Sequence, residues 1–219
     1  MIKSVVDLKN KLISQKIRGL ALDIDETLSF TIGLMAEKLI EGVGNPENLT
    51  AFEIARKYKH TDKIPYWQND LSKKILFDFI NSNEMQKDIP LMENAKEVVN
   101  RINKVIPIVA YITVRPEIIL EGTKFWLDKH GFPEAELIAK PMDIDRSDGN
   151  KWKAGVLDYL YPQVMGIVDD NPGLADFLSK DYQGTVYLYN NTEINRTDIK
   201  IIACENWEEV EKEIIFDRD

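Results

Sequence analysis

From residue 106 onward, apolar runs short enough for strands alternate with amphipathic stretches long enough for helices, and this alternation limits the fold more than any other feature of the chain. Residues 106–113, 135–139, 164–168 and 184–189 read as strands. Residues 116–130, which carry Ile119, Phe125, Trp126 and Leu127, read as a helix, as do 150–160, 207–216 and the short stretch 172–179. Parallel strands need long crossovers, which helices fill, so this order predicts a mainly parallel sheet covered on both faces. Right-handed crossovers make it a doubly wound, Rossmann-like α/β sheet. Upstream, residues 17–24 read as a further buried strand. Residues 4–16 read as an amphipathic helix opened by Ser4, with Val5, Leu8, Leu12 and Ile13 on one side.

Between the first and second of these strands lies a stretch too long for an ordinary connection, and its pattern is helical. One expected helix contains Leu34, Met35, Leu39 and Ile40 and ends near Gly42 and Gly44; a second spans about 49–58. A third spans about 66–80, with Leu71, Ile75, Leu76 and Phe79 at helical spacing, and residues 94–103 form another. The expected organisation is an α/β core over 1–28 and 92–219, with residues 29–91 inserted as a helical subdomain above the C-terminal ends of the strands.

With 219 residues, 44% hydrophobic and 30% charged, the chain can bury one good-sized core. The net charge of −9 argues against non-specific binding to a nucleic-acid backbone. It does not exclude a small phosphorylated partner, whose site is governed by local charge. Cys204 is the only cysteine, which rules out an internal disulfide and suits a reducing compartment. Charges interrupt the apolar residues at the N-terminus, and no apolar run is long enough to span a bilayer. The expected location is the cytoplasm, with no membrane partner.

The chemically useful residues sit at strand and helix ends. The first strand runs into Asp23, Asp25 and Thr27. Residues two apart at a strand end point to one face, so the two acids share a small volume and repel unless a cation or proton lies between them. Thr113 closes the second strand, followed by Val114, Arg115 and Pro116. Lys151 and Lys153 stand at the start of the helix over 150–160, and Asp169 and Asp170 end the strand over 164–168. Phosphoryl transfer uses these types: one carboxylate attacks, another moves protons, a hydroxyl and an ammonium bind phosphoryl oxygens, and further carboxylates hold Mg²⁺.

The ordered set Asp-Ile-Asp-Glu-Thr at 23–27, Tyr-Ile-Thr at 111–113, a helix-start lysine and Val-Asp-Asp at 168–170 resembles the haloacid dehalogenase (HAD) superfamily of phosphohydrolases. Thr-Val-Arg-Pro and Val-Asp-Asp-Asn-Pro are also similar to its deoxyribonucleotidase and polynucleotide 3′-phosphatase branches. The resemblance implies a HAD-like core, with residues 29–91 in the place of the helical cap. It implies Asp23 as nucleophile, forming an aspartyl-phosphate, and Asp25 as general acid and then base. Thr113 would bind the phosphoryl group, and Asp23, the Asp25 carbonyl, Asp169 and Asp170 would hold Mg²⁺. Lys153 ranks first as the catalytic lysine, Lys140 second and Lys151 third. Thr27, Arg115 and Lys140 are candidate substrate contacts, with local ion pairing the competing role for Arg115. An acid at position 25 points to a phosphatase or phosphomutase, because family dehalogenases lack a carboxylate there and cation-pumping ATPases carry threonine.

The expected activity is Mg²⁺-dependent hydrolysis of a small phosphorylated metabolite, a nucleotide being favoured. The alternatives are a phosphomutase and a receiver-like module phosphorylated on aspartate. Nucleic acid enters only as a 3′-phosphorylated end, and the oligomeric state is not legible. Other features have plainer readings. The basic run Arg56-Lys57-Tyr58-Lys59-His60 reads first as a solvated helix end and second as a specificity patch for an anion. Tyr66 and Trp67 read as packing residues, and Trp126, Trp152 and Trp207 as core or interface aromatics. His60 and His130 lack metal-ligand spacing, and Asp143, Asp145 and Asp148 form a polar loop without the closing glutamate of a calcium loop.

Overall fold

The computed structural model describes residues 1–58, 60–194 and 196–216. Helix α1 (Lys3–Gln15) leads into β1 (Gly19–Leu22). Helices α2 (Thr31–Val43), α3 (Ala51–Tyr58), α4 (Asp70–Ile80) and α5 (Asn83–Gln86) follow before the chain returns through α6 (Ala95–Asn103) to β2 (Ile108–Pro116). Then come α7 (Leu120–His130), β3 (Glu136–Lys140), α8 (Gly149–Leu160), β4 (Val164–Asp169), β5 (Thr185–Tyr189), β6 (Lys200–Cys204) and α9 (Trp207–Phe216). The six strands form one sheet in the order β3-β2-β1-β4-β5-β6, every pair parallel. This is the doubly wound α/β sheet expected from the alternation.

Two apolar layers sandwich the sheet. On one face Val98, Val99 and Ile102 of α6, Trp126 of α7 and Trp207, Val210 and Ile214 of α9 pack against Leu20, Leu22 and Tyr111. On the other, Val5, Leu8 and Leu12 of α1 and Val156, Leu157 and Leu160 of α8 pack against Ala21, Ile112 and Ile167. Side chains alternate across a strand, so Leu20 and Leu22 serve one layer and Ala21 the other. The central strands are buried on both faces and therefore read as continuous apolar runs.

The segment between β1 and β2 has a small core of its own: Ala36, Leu39, Ile54, Ile64 and Trp67. Each fully buried Leu or Ile there contributes about 1.5–3 kcal/mol. Helix α2 ends at Gly44, whose φ of 88° is open to glycine and disfavoured for other residues. The two chain crossings between this segment and the sheet lie side by side, with Phe30 N–H donating to Pro90 O at 2.8 Å and Met92 N–H to Leu28 O at 2.8 Å.

Several local expectations are corrected. Ser4 does not cap α1, which starts a residue earlier behind Ile2. Ile13, Leu71 and Phe125 are exposed, because each helix buries a narrower stripe than its apolar residues suggest. Strand β2 continues to Pro116 across a register shift in its pairing with β3, and a 3₁₀ turn, Glu117–Ile119, precedes α7. Strand β6 and the one-turn α5 carry no signal long enough to be read from sequence. Trp126 and Trp207 are fully buried, whereas Trp152 is half-buried. Trp67 is buried and donates to Gly44 O at 3.0 Å. Lys57 pairs with Glu47 at 2.6 Å, and Lys59 of the same basic run lies outside the described residues. Among the described residues, no helix is long and apolar enough to cross a membrane.

Candidate active site

The strand order reverses direction between β1 and β4, so the connections leaving their C-terminal ends diverge and leave a crevice there. Leu22 pairs with Val168, and the Asp23 amide donates to Val168 O at 2.9 Å. This register sets Asp23 beside Asp169. Lysine 153 heads the buried stripe of α8, one turn before Val156 and Leu157, so the packing that seats the helix also drives its ammonium under the strand ends. Its Nζ lies 2.6 Å from Asp23 Oδ1 and 2.8 Å from Asp169 Oδ2. Asp23 and Lys153 are almost fully buried and Asp169 completely so. Asp169 also accepts the Asn171 amide at 2.9 Å.

Asp170 completes the cluster: oxygens of Asp23, Asp169 and Asp170 all lie within 4.8 Å of one another. Thr27 orients it, accepting the Asp170 amide at 3.1 Å and reaching Asp170 Oδ1 at 3.4 Å. Three carboxylates around one ammonium leave negative charge uncompensated. Burial, with Asp169 and Asp25 adding repulsion that Lys153 only partly offsets, raises Asp23 to about 7. Burial and the charges of Asp169 and Asp23 raise Asp170 well above the usual carboxylate range. Burial by itself would lower Lys153, but Asp169 and Asp23 outweigh it and hold the ammonium charged. An oxygen-only donor set with excess negative charge fits a hard divalent cation such as Mg²⁺.

Asp25 stands apart from this cluster, on Arg115. The buried guanidinium donates through Nε to Asp25 Oδ1 and Oδ2 at 3.0 and 3.1 Å and through Nη2 to Oδ1 at 2.6 Å. It also donates to Ser29 Oγ at 3.0 Å and Thr123 Oγ1 at 3.3 Å. Thr31 donates a further bond to Asp25 at 2.5 Å. Burial alone would raise Asp25, but the charge and hydrogen bonds of Arg115 and the Thr31 bond carry it below the ordinary value. A tight reversal makes this possible: Glu26 has φ 56°, and the amides of Leu28 and Ser29 both return to Ile24 O at 2.9 Å. The turn presents Ser29 and Thr31 to Arg115. Glu26 accepts the Ile32 amide at 2.6 Å at the start of α2, and burial raises it to about 8.

A cavity of about 450 Å³ opens in front of these groups. Asp23, Asp25, Asp170, Arg115 and Lys153 at the strand and helix ends line it, together with Ile32, Met35, Phe77, Phe79 and Ile80 of α2 and α4. Asp23, Asp25, Asp170 and Lys153 thus line one cavity, and Asp169, fully buried, pairs with Lys153. Thr113 is buried, its hydroxyl accepting the Arg115 amide at 3.2 Å. Of the expected substrate contacts, Thr27 hydrogen-bonds Asp170, and Arg115, which lines the cavity, is paired with Asp25. Lys140 does not reach Asp23; its Nζ donates to Pro141 O at 3.0 Å and Ile144 O at 2.5 Å. Lys151 is exposed. Glu26, Ser29 and Thr31 escaped the sequence reading because a left-handed turn residue, with no periodic signal, brings them back to Asp25.

Metal-free protein is expected to lose stability as pH rises from about 4.5 to about 8. Asp23 and Glu26 start from ordinary values of 3.8 and 4.5 and reach about 7 and about 8 in the fold, so the folded state holds protons that the unfolded chain has released. Melting temperatures in EDTA should therefore be higher at pH 5 than at pH 8, and Mg²⁺ at pH 8 should restore the difference. A flat or rising melting temperature across that window contradicts the charge arrangement.

The fold is that of the HAD-superfamily hydrolases. The chain superposes on a HAD-superfamily hydrolase of subfamily IA, variant 1, from Geobacter sulfurreducens, with a TM-score of 0.55, 12% identity, and coverage of 90% of this chain and 96% of that one. It is similar to a dehalogenase at TM-score 0.51 and 14% identity, covering 89% and 95% of the two chains. It is similar to YfnB from Bacillus subtilis, described as a HAD-hydrolase and solved with bound magnesium, at TM-score 0.51 and 15% identity, covering 90% and 98%. No protein-family model and no curated protein matches the sequence significantly.

Proposed function

We propose that this protein is a Mg²⁺-dependent phosphomonoester hydrolase that works through an aspartyl-phosphate on Asp23, with a small phosphorylated metabolite, a nucleotide among the candidates, as substrate. The observation that carries this reading is the buried Lys153 bridging Asp23 and Asp169, with Asp170 beside them and a second, separately held acid, Asp25, two residues from Asp23. A Mg²⁺ ion bound by Asp23, Asp169, Asp170 and the Asp25 carbonyl would supply positive charge to the phosphoryl oxygens.

In the first half-reaction Asp23 Oδ attacks phosphorus, the ester P–O bond breaks, and Asp25 gives its proton to the leaving oxygen. Lys153 orients Asp23 and offsets the charge that gathers on the phosphoryl group, and the Thr113 hydroxyl serves as a further donor. In the second half-reaction Asp25 removes a proton from water as it attacks phosphorus, and the bond to Asp23 breaks to release phosphate. Arg115 suits Asp25 to this second, basic role. The arriving phosphate dianion raises the proton affinity of Asp25 for the first, acidic role. Residues 29–91 act as the cap over this chemistry, with the α2 and α4 side chains facing the leaving group.

The test is phosphate release from p-nitrophenyl phosphate and from a panel of nucleotides and sugar phosphates. Activity is expected with Mg²⁺, lost in EDTA and recovered when Mg²⁺ is returned in excess. Isomerised ester in place of free phosphate would move the assignment to a phosphomutase, and no turnover by folded, Mg²⁺-loaded protein would remove it.

A further inference from the structure

We propose that Lys140, with Arg146 at the rim of the same cavity, forms a second anion subsite, so that the preferred substrate is a phosphomonoester whose leaving group carries its own carboxylate or second phosphate. This inference rests on the phosphatase reading above and deepens it.

Lys140 ends β3 at 6% exposure and lines the cavity that holds Asp23. The other two buried cations of that cavity are committed to acids, Lys153 to Asp23 and Asp169 and Arg115 to Asp25. Lys140 is not: among the described residues no carboxylate lies within ion-pair distance of it, and its two hydrogen bonds go to the Pro141 and Ile144 carbonyls. An ammonium has three donors, so these carbonyls leave one for a ligand. Burying a cation without a counter-charge is unfavourable, and carbonyl dipoles offset only part of that penalty. An anion arriving in the cavity would find this charge already desolvated and fixed.

Two further observations concern the same wall. Arg146 lines the cavity, is exposed, and has no ion-pair partner among the described residues. Asp143, Asp145 and Asp148 on the connecting loop do not pair with either cation. The twelve-residue α8 begins immediately after a 3₁₀ turn over Arg146–Asp148, whose Arg146 carbonyl accepts the Gly149 amide, and Asn150 at its start lines the cavity.

The test compares kcat/KM for glycerol 3-phosphate, 3-phosphoglycerate, which differs by a carboxylate, and 1,3-propanediol bisphosphate. The wild-type protein is expected to favour one or both doubly anionic esters by about tenfold or more, and the preferred one identifies the source of the second charge. In Lys140→Gln that preference ratio should collapse, mainly through KM. Should the buried substitution impair folding, Arg146→Gln at the exposed rim should lower the same ratio severalfold. An equal fall on all three esters assigns Lys140 to pinning its own loop and overturns the subsite. Absence of preference in wild type that turns over glycerol 3-phosphate also overturns it, while leaving the phosphatase reading intact. Absence of turnover on every ester removes both.

Discussion

Asp23→Asn should reduce phosphate release by at least about 10⁴-fold, with the protein still folded. The carboxylate at this position has two tasks that an amide cannot perform. In the proposed mechanism it supplies the attacking oxygen, and its charge helps to hold the Lys153 ammonium at 2.6 Å. Asparagine keeps the shape, so Asp23 can be tested as a chemical group without opening a cavity. It also removes one of three mutually repelling acids, which limits the loss of stability. The measurement is a single-turnover and steady-state assay with p-nitrophenyl phosphate and Mg²⁺, alongside a melting curve. Residual activity within tenfold of wild type would place the nucleophile elsewhere, Asp169 and Asp170 being the neighbouring acids.

Lys153→Met should lower kcat by about 10²–10³-fold, the range for removing one preorganised group that stabilises developing charge. Methionine preserves most of the stem that lies along the α8 stripe, so the change isolates the ammonium. Removing one partner of a buried ion pair typically destabilises by about 3–5 kcal/mol, because it strands the opposite charge. Here it strands Asp23 and Asp169, completely or almost completely buried, beside Asp170. The variant should therefore melt lower in EDTA at pH 8, recover partly at pH 5 as the acids take up protons, and respond more strongly than wild type to Mg²⁺. A variant as stable as wild type in EDTA at pH 8 would contradict the bridging geometry. Activity retained by Lys153→Met and lost in Lys140→Met would move the catalytic role to Lys140, the second-ranked lysine.

Much of this arrangement was legible in the residues. The strand ends at Asp23 and Asp169 show as apolar runs terminated by acids, because burial on both faces demands continuous hydrophobicity and the strand C-terminus is where it stops. Lys153 was legible through phase: a lysine at the head of an apolar helical stripe must face the sheet. The roles of Thr27 and Arg115 were not. Nothing in Thr-Val-Arg-Pro distinguishes a guanidinium bound to a ligand from one bound to Asp25; the choice depends on a reversal at Glu26 that carries Ser29 and Thr31 back to the same point. Strand β6 was missed because its half-buried, five-residue run follows an irregular stretch and gains its identity from pairing with β5.

Local sequence determined most of the layers of this protein: which segments, β6 and the short α5 apart, are strands or helices, and which acids, hydroxyl and ammonium stand at their ends, since periodicity and burial act over a few residues. Only the tertiary structure decided partnership. Which lysine meets Asp23, which cation neutralises Asp25 and which one is left without a counter-ion depend on distances between residues up to 130 positions apart along the chain. Those distances follow from strand order and helix packing, properties that no single segment carries.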